Sequence, residues 1–275
     1  MIGRKLETSD DGECITHEIT NHEYGIKRKY ASLRAFYKYL FTENLIESNV
    51  ASLVPLPRLH ERAIIRLDVD EVARMLDIAE TGTPLPKTYQ KYHRVTKKRD
   101  LAMLSLFLGT GIRISECVGL NIEDFDFEQN AFVVTRKGGK EVILYLSDEV
   151  AETLKDYMEE RKKIETLPGH EEAFFLSIQR RRMTQRAVEN MVKKYAAIAA
   201  PLKKKISPHK LRSTFGTNLY RETGDIYLVA DVLGHTDVNT TRKHYAAISE
   251  DHRRIAAEKT ILREEPPKPQ MDQHS

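Results

Sequence analysis

Leu101-Ala102-Met103-Leu104-Ser105-Leu106-Phe107-Leu108 runs directly into Gly109-Thr110-Gly111-Ile112-Arg113-Ile114-Ser115-Glu116. The first eight residues are apolar on nearly every side, which is the pattern of a helix buried at the centre of a domain. A glycine-rich turn follows, and then a short helix holding Arg113, Ser115 and Glu116. The glycine spacing fits neither a dinucleotide-binding fingerprint nor a P-loop. A helix start of this kind still offers unpaired N–H groups, and Arg113 just inside it adds a planar fork suited to phosphate.

Toward the C-terminus, strands are expected at Ala131–Thr135 and 141–146, flanking Lys137-Gly138-Gly139-Lys140, whose glycine pair suits a tight hairpin turn. Helices follow over about 148–165, 185–199, 208–222 and 225–233. Ser207 caps the third of these ahead of Pro208 at its first position, and Gly224 ends it. Toward the N-terminus, residues 81–98 break apolar periodicity and read as a basic loop. Asp68 opens a helix, with Glu71 completing a capping box. Residues 55–66, following Val54 and carrying Pro55 and Pro57, read as a linker. Before it, Ile26, Tyr30, Leu33, Tyr37 and Leu40 step by four and three along one helical face. The expected fold is mainly α with one small β-sheet. Its expected divisions are a helical piece with linker at 1–60, a larger domain at 61–265, and a disordered tail at 266–275.

The 275 residues are 40% hydrophobic and 31% charged, enough for a sizeable core under a wet surface. There is no apolar run long enough to span a bilayer, and the opening residues 1–13, without an apolar stretch, lead to the expectation of no secretory signal. Cys14 and Cys117 lie far apart without neighbouring His or Cys, which speaks against a disulfide scaffold or a cysteine zinc site. A cytoplasmic, nucleoid-associated protein is expected. The net charge of +3 says little, but its distribution says more. Residues 24–42 carry five Lys/Arg, six aromatics and no acid, and residues 178–210 carry ten Lys/Arg against Glu189 alone. Separated basic runs on a nearly neutral chain point to a surface that meets an acidic polymer.

Two further patterns carry chemistry. His209 and Arg212, three apart at the start of a helix, share one face and can grip an oxyanion together. Leu233-Gly234-His235 ends another helix, and His244-Tyr245 follows ten residues later. A tyrosine with an ordinary pKa of about 10 attacks at neutral pH only with a base or strong positive surroundings.

Taken in order, Arg113 in Gly111-Ile112-Arg113-Ile114-Ser115-Glu116, Lys137 in a hairpin, His209 and Arg212, His235 and Tyr245 resemble the tyrosine recombinase (phage integrase) family, in its Xer-like form. The resemblance covers roughly residues 26–260. It implies a catalytic domain preceded by a partial helical core-binding domain, N-terminally short against the usual four or so helices. It also implies a site-specific transesterification on DNA without metal or other cofactor. Tyr245 would attack the scissile phosphate to give a 3′-phosphotyrosyl link and a free 5′-hydroxyl. Arg113 and Arg212 would hold the non-bridging oxygens, where guanidinium forks suit a pentacoordinate phosphate. Lys137 would protonate the leaving 5′-oxygen, His209 would assist proton transfer, His235 would hydrogen-bond the phosphate, and Glu116 would support the site from behind. Ser213 stands where many relatives carry another His. The link conserves bond energy, so no ATP is called for.

The implied partner is double-stranded DNA with paired recombination sites, bound by a homotetramer. Lys27, Arg34 and Lys38 on the first helix are expected to face the duplex while Tyr30, Leu33 and Tyr37 pack inward. Lys91, Arg94, Arg180, Arg181, Arg182, Lys203 and Lys204 are further candidates for phosphate contact. A C-terminal helix over 249–264 is expected to pack on a neighbouring protomer or on its own domain. Integration or excision of a mobile element is the expected role. Two alternatives share these features: a type IB topoisomerase-like strand-swivelling enzyme, and a DNA-binding protein that uses the fold without cutting.

Overall fold

A computed structural model of the chain describes residues 23–57, 65–136, 138–203 and 205–234 in full, and the backbone of 2–8 and 14–20. The chain divides into two compact units, residues 1–63 and 64–275. Lys137, Lys204, His235, Tyr245, the helix expected over 249–264 and the tail at 266–275 lie outside the described residues.

The first unit opens with a β-ladder that apolar patterning did not announce. β1 (Ile2–Thr8) pairs antiparallel with β2 (Cys14–Thr20), in a register that sets Ile2 opposite Thr20 and Arg4 opposite Glu18. α1 (Glu23–Thr42) follows, and then a 3₁₀ turn at Val50–Ser52. Ile26, Tyr30, Tyr37 and Leu40 lie half-buried as the periodicity implies, but Leu33 is exposed and its neighbour Arg34 turns inward. Arg34 Nε donates to the Ala51 carbonyl at 3.2 Å, and its Nη2 to the carbonyls of Ser52, at 3.3 Å, and Val54. A short 3₁₀ turn leaves such carbonyls without intrahelical donors, and a guanidinium is the group long enough to reach them.

In the second unit, α2 (Val69–Thr81) starts at Asp68, whose N–H donates to the Glu71 carboxylate at 2.7 Å, one half of the expected capping box. It ends on Gly82 at φ 78°. A Cβ at Gly82 would stand 2.6 Å from Nδ1 of His93, so the glycine serves both the left-handed turn and a close approach. His93 belongs to α3 (Lys87–Thr110), which corrects the loop expected over 81–98. The buried stripe in this half of α3 is polar, His93, Thr96 and Asp100, while Tyr89, Tyr92 and Val95 face outward. Apolar periodicity is blind to a helix whose inward residues are hydrogen-bonded polar groups.

The second half of α3 is the buried helix foreseen, with Ala102, Met103, Leu104, Leu106 and Phe107 fully covered. It packs against α2, α5 (Asp148–Arg161) and α7 (Pro208–Thr223). α4 (Ile114–Gly119) follows, then a 3₁₀ turn and the sheet β3 (Phe125–Asp126), β4 (Ala131–Thr135) and β5 (Glu141–Tyr145), antiparallel in the order β3-β4-β5. β4 and β5 register from Ala131 opposite Tyr145 to Thr135 opposite Glu141, so the connection is a five-residue loop, 136–140. α6 (Gln185–Ala199) and α8 (Ile226–Leu233) complete the described elements. No described helix is long and apolar enough to cross a membrane.

A buried charge network ties α3 to α6. Asp100, 1% exposed, accepts from Arg99 Nε at 3.0 Å and Nη2 at 2.6 Å on one oxygen. Its other oxygen accepts from Thr96 Oγ1 at 3.1 Å, Lys194 Nζ at 3.0 Å and Tyr195 Oη at 2.9 Å. Burial pushes the Asp100 carboxyl upward, but the Arg99 and Lys194 charges outweigh it and hold the group below the usual carboxylate range.

Candidate active site

Three arginines from three elements converge on the C-terminal end of α8. Arg113 stands at the N-cap of α4, one residue outside the helix that was expected to contain it. Its N–H donates to Glu116 Oε2 at 2.9 Å and its Nη1 to Glu116 Oε1 at 2.7 Å, so both oxygens of that buried carboxylate hold the arginine. This leaves Nη2 of Arg113 aimed at α8, where it donates to the Gly234 carbonyl at 2.8 Å. Glu116 thus stands behind the arginine.

Arg212, on the second turn of α7, is 6% exposed. Its Nη1 donates to the Gly111 carbonyl and its Nη2 to the Leu233 carbonyl. Gly111, at φ 62°, ends α3, and a Cβ there would lie 2.4 Å from the ring of Phe215 on α7. The glycine-rich turn therefore lets α3 end against α7 and presents the Gly111 carbonyl to Arg212. The third arginine is Arg136, just after β4, which donates to the carbonyls of Asp231 at 3.3 Å and Val232 at 2.7 Å. Carbonyls at a helix C-terminus have no intrahelical donors and carry the negative end of the macrodipole. Three guanidinium groups answer both, and their own charges sum at one spot.

His209 sits on the first turn of α7, exposed, one turn before Arg212. Farther along α7, Thr214 Oγ1 accepts from the Leu67 N–H at 3.0 Å, tying the helix to the segment before α2. Arg113, Glu116, Arg212 and Gly234 are thus brought together from α4, α7 and α8. Lys137 is the residue after Arg136 and His235 the residue after Gly234; with Tyr245, both lie outside the described residues. Arg136 is the one converging residue that sequence reading passed over, because an arginine beside a hairpin turn looks like any solvated cation.

The candidate phosphate contacts divide into exposed and committed groups. Lys27, Lys38, Lys91, Arg94, Arg180 and Arg181 are exposed. Arg34 is not, as described above. Arg182 Nη1 donates to the carbonyls of Val118, Gly119 and Leu120 at 2.8–3.0 Å, and its Nη2 to the Asn121 side chain. It closes the C-terminal end of α4. Lys203 pairs with Asp68 at 2.6 Å and with Glu71. Partial burial lowers its ammonium, but hydrogen bonds to both carboxylates outweigh this and raise it, while Lys203 holds Asp68 below the usual range. Arg34, Arg182 and Lys203 are therefore engaged with acceptors of the chain itself, whereas the other described candidates present their charges at the surface.

The phage integrase family model matches residues 65–252. The chain is 36% identical over 231 residues to tyrosine recombinase XerC of Syntrophus aciditrophicus (strain SB), covering 82% of this chain and 69% of that one. It is 30% identical over 215 residues to tyrosine recombinase XerD of Proteus mirabilis, covering 78% and 65%. Among solved structures, the fold is shared with XerA recombinase (TM-score 0.57, 24% identity, 82% of this chain and 76% of that chain). It is shared too with the Tn1549 transposon integrase in complex with circular intermediate DNA (TM-score 0.65, 24% identity, 86% and 79%). The chain belongs to the phage integrase family, as a Xer-like tyrosine recombinase.

Proposed function

We propose that this chain cuts and rejoins DNA strands at specific sites with Tyr245 as its nucleophile. The observation that carries this reading is the convergence of Arg113 and Arg212 on the end of α8, immediately before His235. Two guanidinium groups anchored at fixed places form a preorganised oxyanion site, and such sites act where charge builds in the transition state. The Tyr245 hydroxyl attacks the scissile phosphorus while its proton passes to His209. The bond from phosphorus to the 5′-oxygen breaks, its electron pair stays on that oxygen, and the Lys137 ammonium supplies the proton that makes it a hydroxyl. The phosphate remains a diester, now joined to Tyr245 through its 3′ side. Attack by the 5′-hydroxyl of another strand reverses each transfer and releases the tyrosine. His235 hydrogen-bonds the phosphate, and Glu116 holds Arg113 in place.

In this reading residues 1–60 form the partial DNA clamp and 61–265 the catalytic domain. Four protomers bind paired sites on double-stranded DNA, with 249–264 linking neighbours, and the event is integration or excision of a mobile element. Phosphate contacts come from the exposed cations Lys27, Lys38, Lys91, Arg94, Arg180 and Arg181, with Lys204. The test uses a pool of randomised duplexes, nicked so that the cleaved end diffuses away, and reads SDS-resistant protein–DNA adducts by gel and sequencing. Adducts that form with the wild type and vanish in Tyr245→Phe, with salt-sensitive binding retained, support the nucleophile and deliver the target sequence. Adducts that persist in Tyr245→Phe refute it.

A further inference from the structure

We infer that Arg136 is a positioning residue that couples the β4–β5 hairpin to the end of α8; its importance for chemistry rests on the reading of Lys137 as the proton donor. Two observations carry the coupling. Arg136 reaches Asp231 and Val232, ninety-five and ninety-six residues away, with both terminal nitrogens. Its guanidinium also lies against the bare Cα of Gly234: a Cβ there would stand 2.2 Å from Nη1, 2.5 Å from Cζ and 2.9 Å from Nε. Gly234, at φ 58°, is therefore required both by the left-handed end of α8 and by the arginine lying on it.

Packing does not replace this link. Hairpin and α8 face each other across a cavity of about 280 Å³, lined by Arg136, Val142, Leu144, Phe215, Asp231 and Val232. Tyr145 and Ile143 at its rim are largely exposed. Among the described residues, the side-chain hydrogen bonds joining hairpin to α8 are those of Arg136. The loop's own bonds start from the same residue, whose N–H donates to the Lys140 carbonyl at 2.8 Å and whose carbonyl accepts from Gly139 at 3.0 Å. One residue thus fixes the loop to itself and to α8, and Lys137 and His235 are the next residues along the chain from the two sides of that contact. A proton donor on a free five-residue loop samples many positions, and an anchor beside it confines them.

The test separates proton donation from folding by changing the leaving atom. The randomised nicked duplexes are made once with an ordinary phosphodiester and once with a 5′-bridging phosphorothiolate at one fixed linkage, because a thiolate leaves without needing a proton. Arg136→Ala is expected to slow adduct formation about 100-fold on the oxygen pool and to approach the wild-type rate on the sulfur pool, as Lys137→Ala does. Gly234→Ala, which pushes the guanidinium from the other side, is expected to show the same oxygen-selective loss. Arg136→Lys keeps the charge and one donor nitrogen in place of two and is expected to recover part of the rate. Equal loss on both pools in Arg136→Ala and Gly234→Ala, while Lys137→Ala is rescued by sulfur, overturns the coupling alone. Absence of rescue in Lys137→Ala, or of any wild-type adduct on either pool, overturns the proton-donor reading and the coupling with it.

Discussion

Replacing Asp100 with asparagine removes one charge and leaves the side chain nearly the same shape, so its cost reads the buried network between α3 and α6. Every group that touches Asp100 donates: Thr96 and Tyr195 through hydroxyls, Arg99 through two nitrogens, Lys194 through its ammonium. Whichever way the asparagine amide turns, its NH₂ faces donors. With NH₂ toward Arg99 it meets a guanidinium that has no acceptor, and turned the other way it meets the Lys194 ammonium. The hydroxyls can rotate to accept, but the two cations cannot, and they are only 11% and 15% exposed. Removing one partner from a buried charge cluster costs about 3–5 kcal/mol. For a unit of this size that lowers Tm by about 6–20 °C.

The same network fixes the pH dependence. Because the folded Asp100 pKa lies below its unfolded value, its stabilisation is fully present above the unfolded pKa of about 4 and is lost as pH falls through the lower, folded value. Thermal unfolding of wild type and Asp100→Asn, followed by circular dichroism at 222 nm, is therefore expected to show the full gap at pH 7 and a shrinking gap below about pH 4. A fall in Tm of under about 2 °C at pH 7, or a gap that stays constant down to pH 3, refutes the argument.

Two further outcomes follow from the committed side chains. Arg182→Ala removes the donor that serves the Val118, Gly119 and Leu120 carbonyls, at a cost of about 2–3 kcal/mol, whereas exposed Arg181→Ala leaves stability within about 0.5 kcal/mol; equal denaturation midpoints for the two variants count against the structural role of Arg182. Cys117 is fully buried, and burial together with nearby Glu116 pushes its thiol well up. In a Cys14→Ser background it is expected to resist DTNB until global unfolding, so rapid labelling of the native protein contradicts this placement.

Local signals explain why much of the fold was legible. The Asp68 start of α2, the β4 and β5 ends around the glycine pair, the Ser207-Pro208 start of α7 and the Gly224 stop each rest on residues adjacent in the chain. So does the placement of α6 at Gln185–Ala199, where a strong apolar face repeats with the helical period. The first half of α3 failed that test because His93, Thr96 and Asp100 are buried by hydrogen bonds and charge pairing rather than by apolar surface. In the β1–β2 ladder only Ile2 and Thr8 of β1 are β-branched, and the Ile15-Thr16 and Ile19-Thr20 pairs of β2 recur four apart, so no period-two alternation marks it.

At the site, the sequence by itself determined which chemical groups are available, since residue types at ordered spacings named Arg113, His209 and Arg212 and placed them near helix ends. Whether a given cation is offered to solvent or spent inside the protein was decided only by the tertiary structure. Arg34, Arg182, Lys203 and Arg136 look alike in the chain, but each meets acceptors that folding brings from elsewhere: the carbonyls after α1, the end of α4, the start of α2 and the end of α8. The reason is physical. Helix ends and turns leave main-chain carbonyls unsatisfied, burial makes that costly, and a long arginine within reach is drawn to them whatever its distance along the sequence, while Lys203 is drawn in the same way to the Asp68 and Glu71 carboxylates.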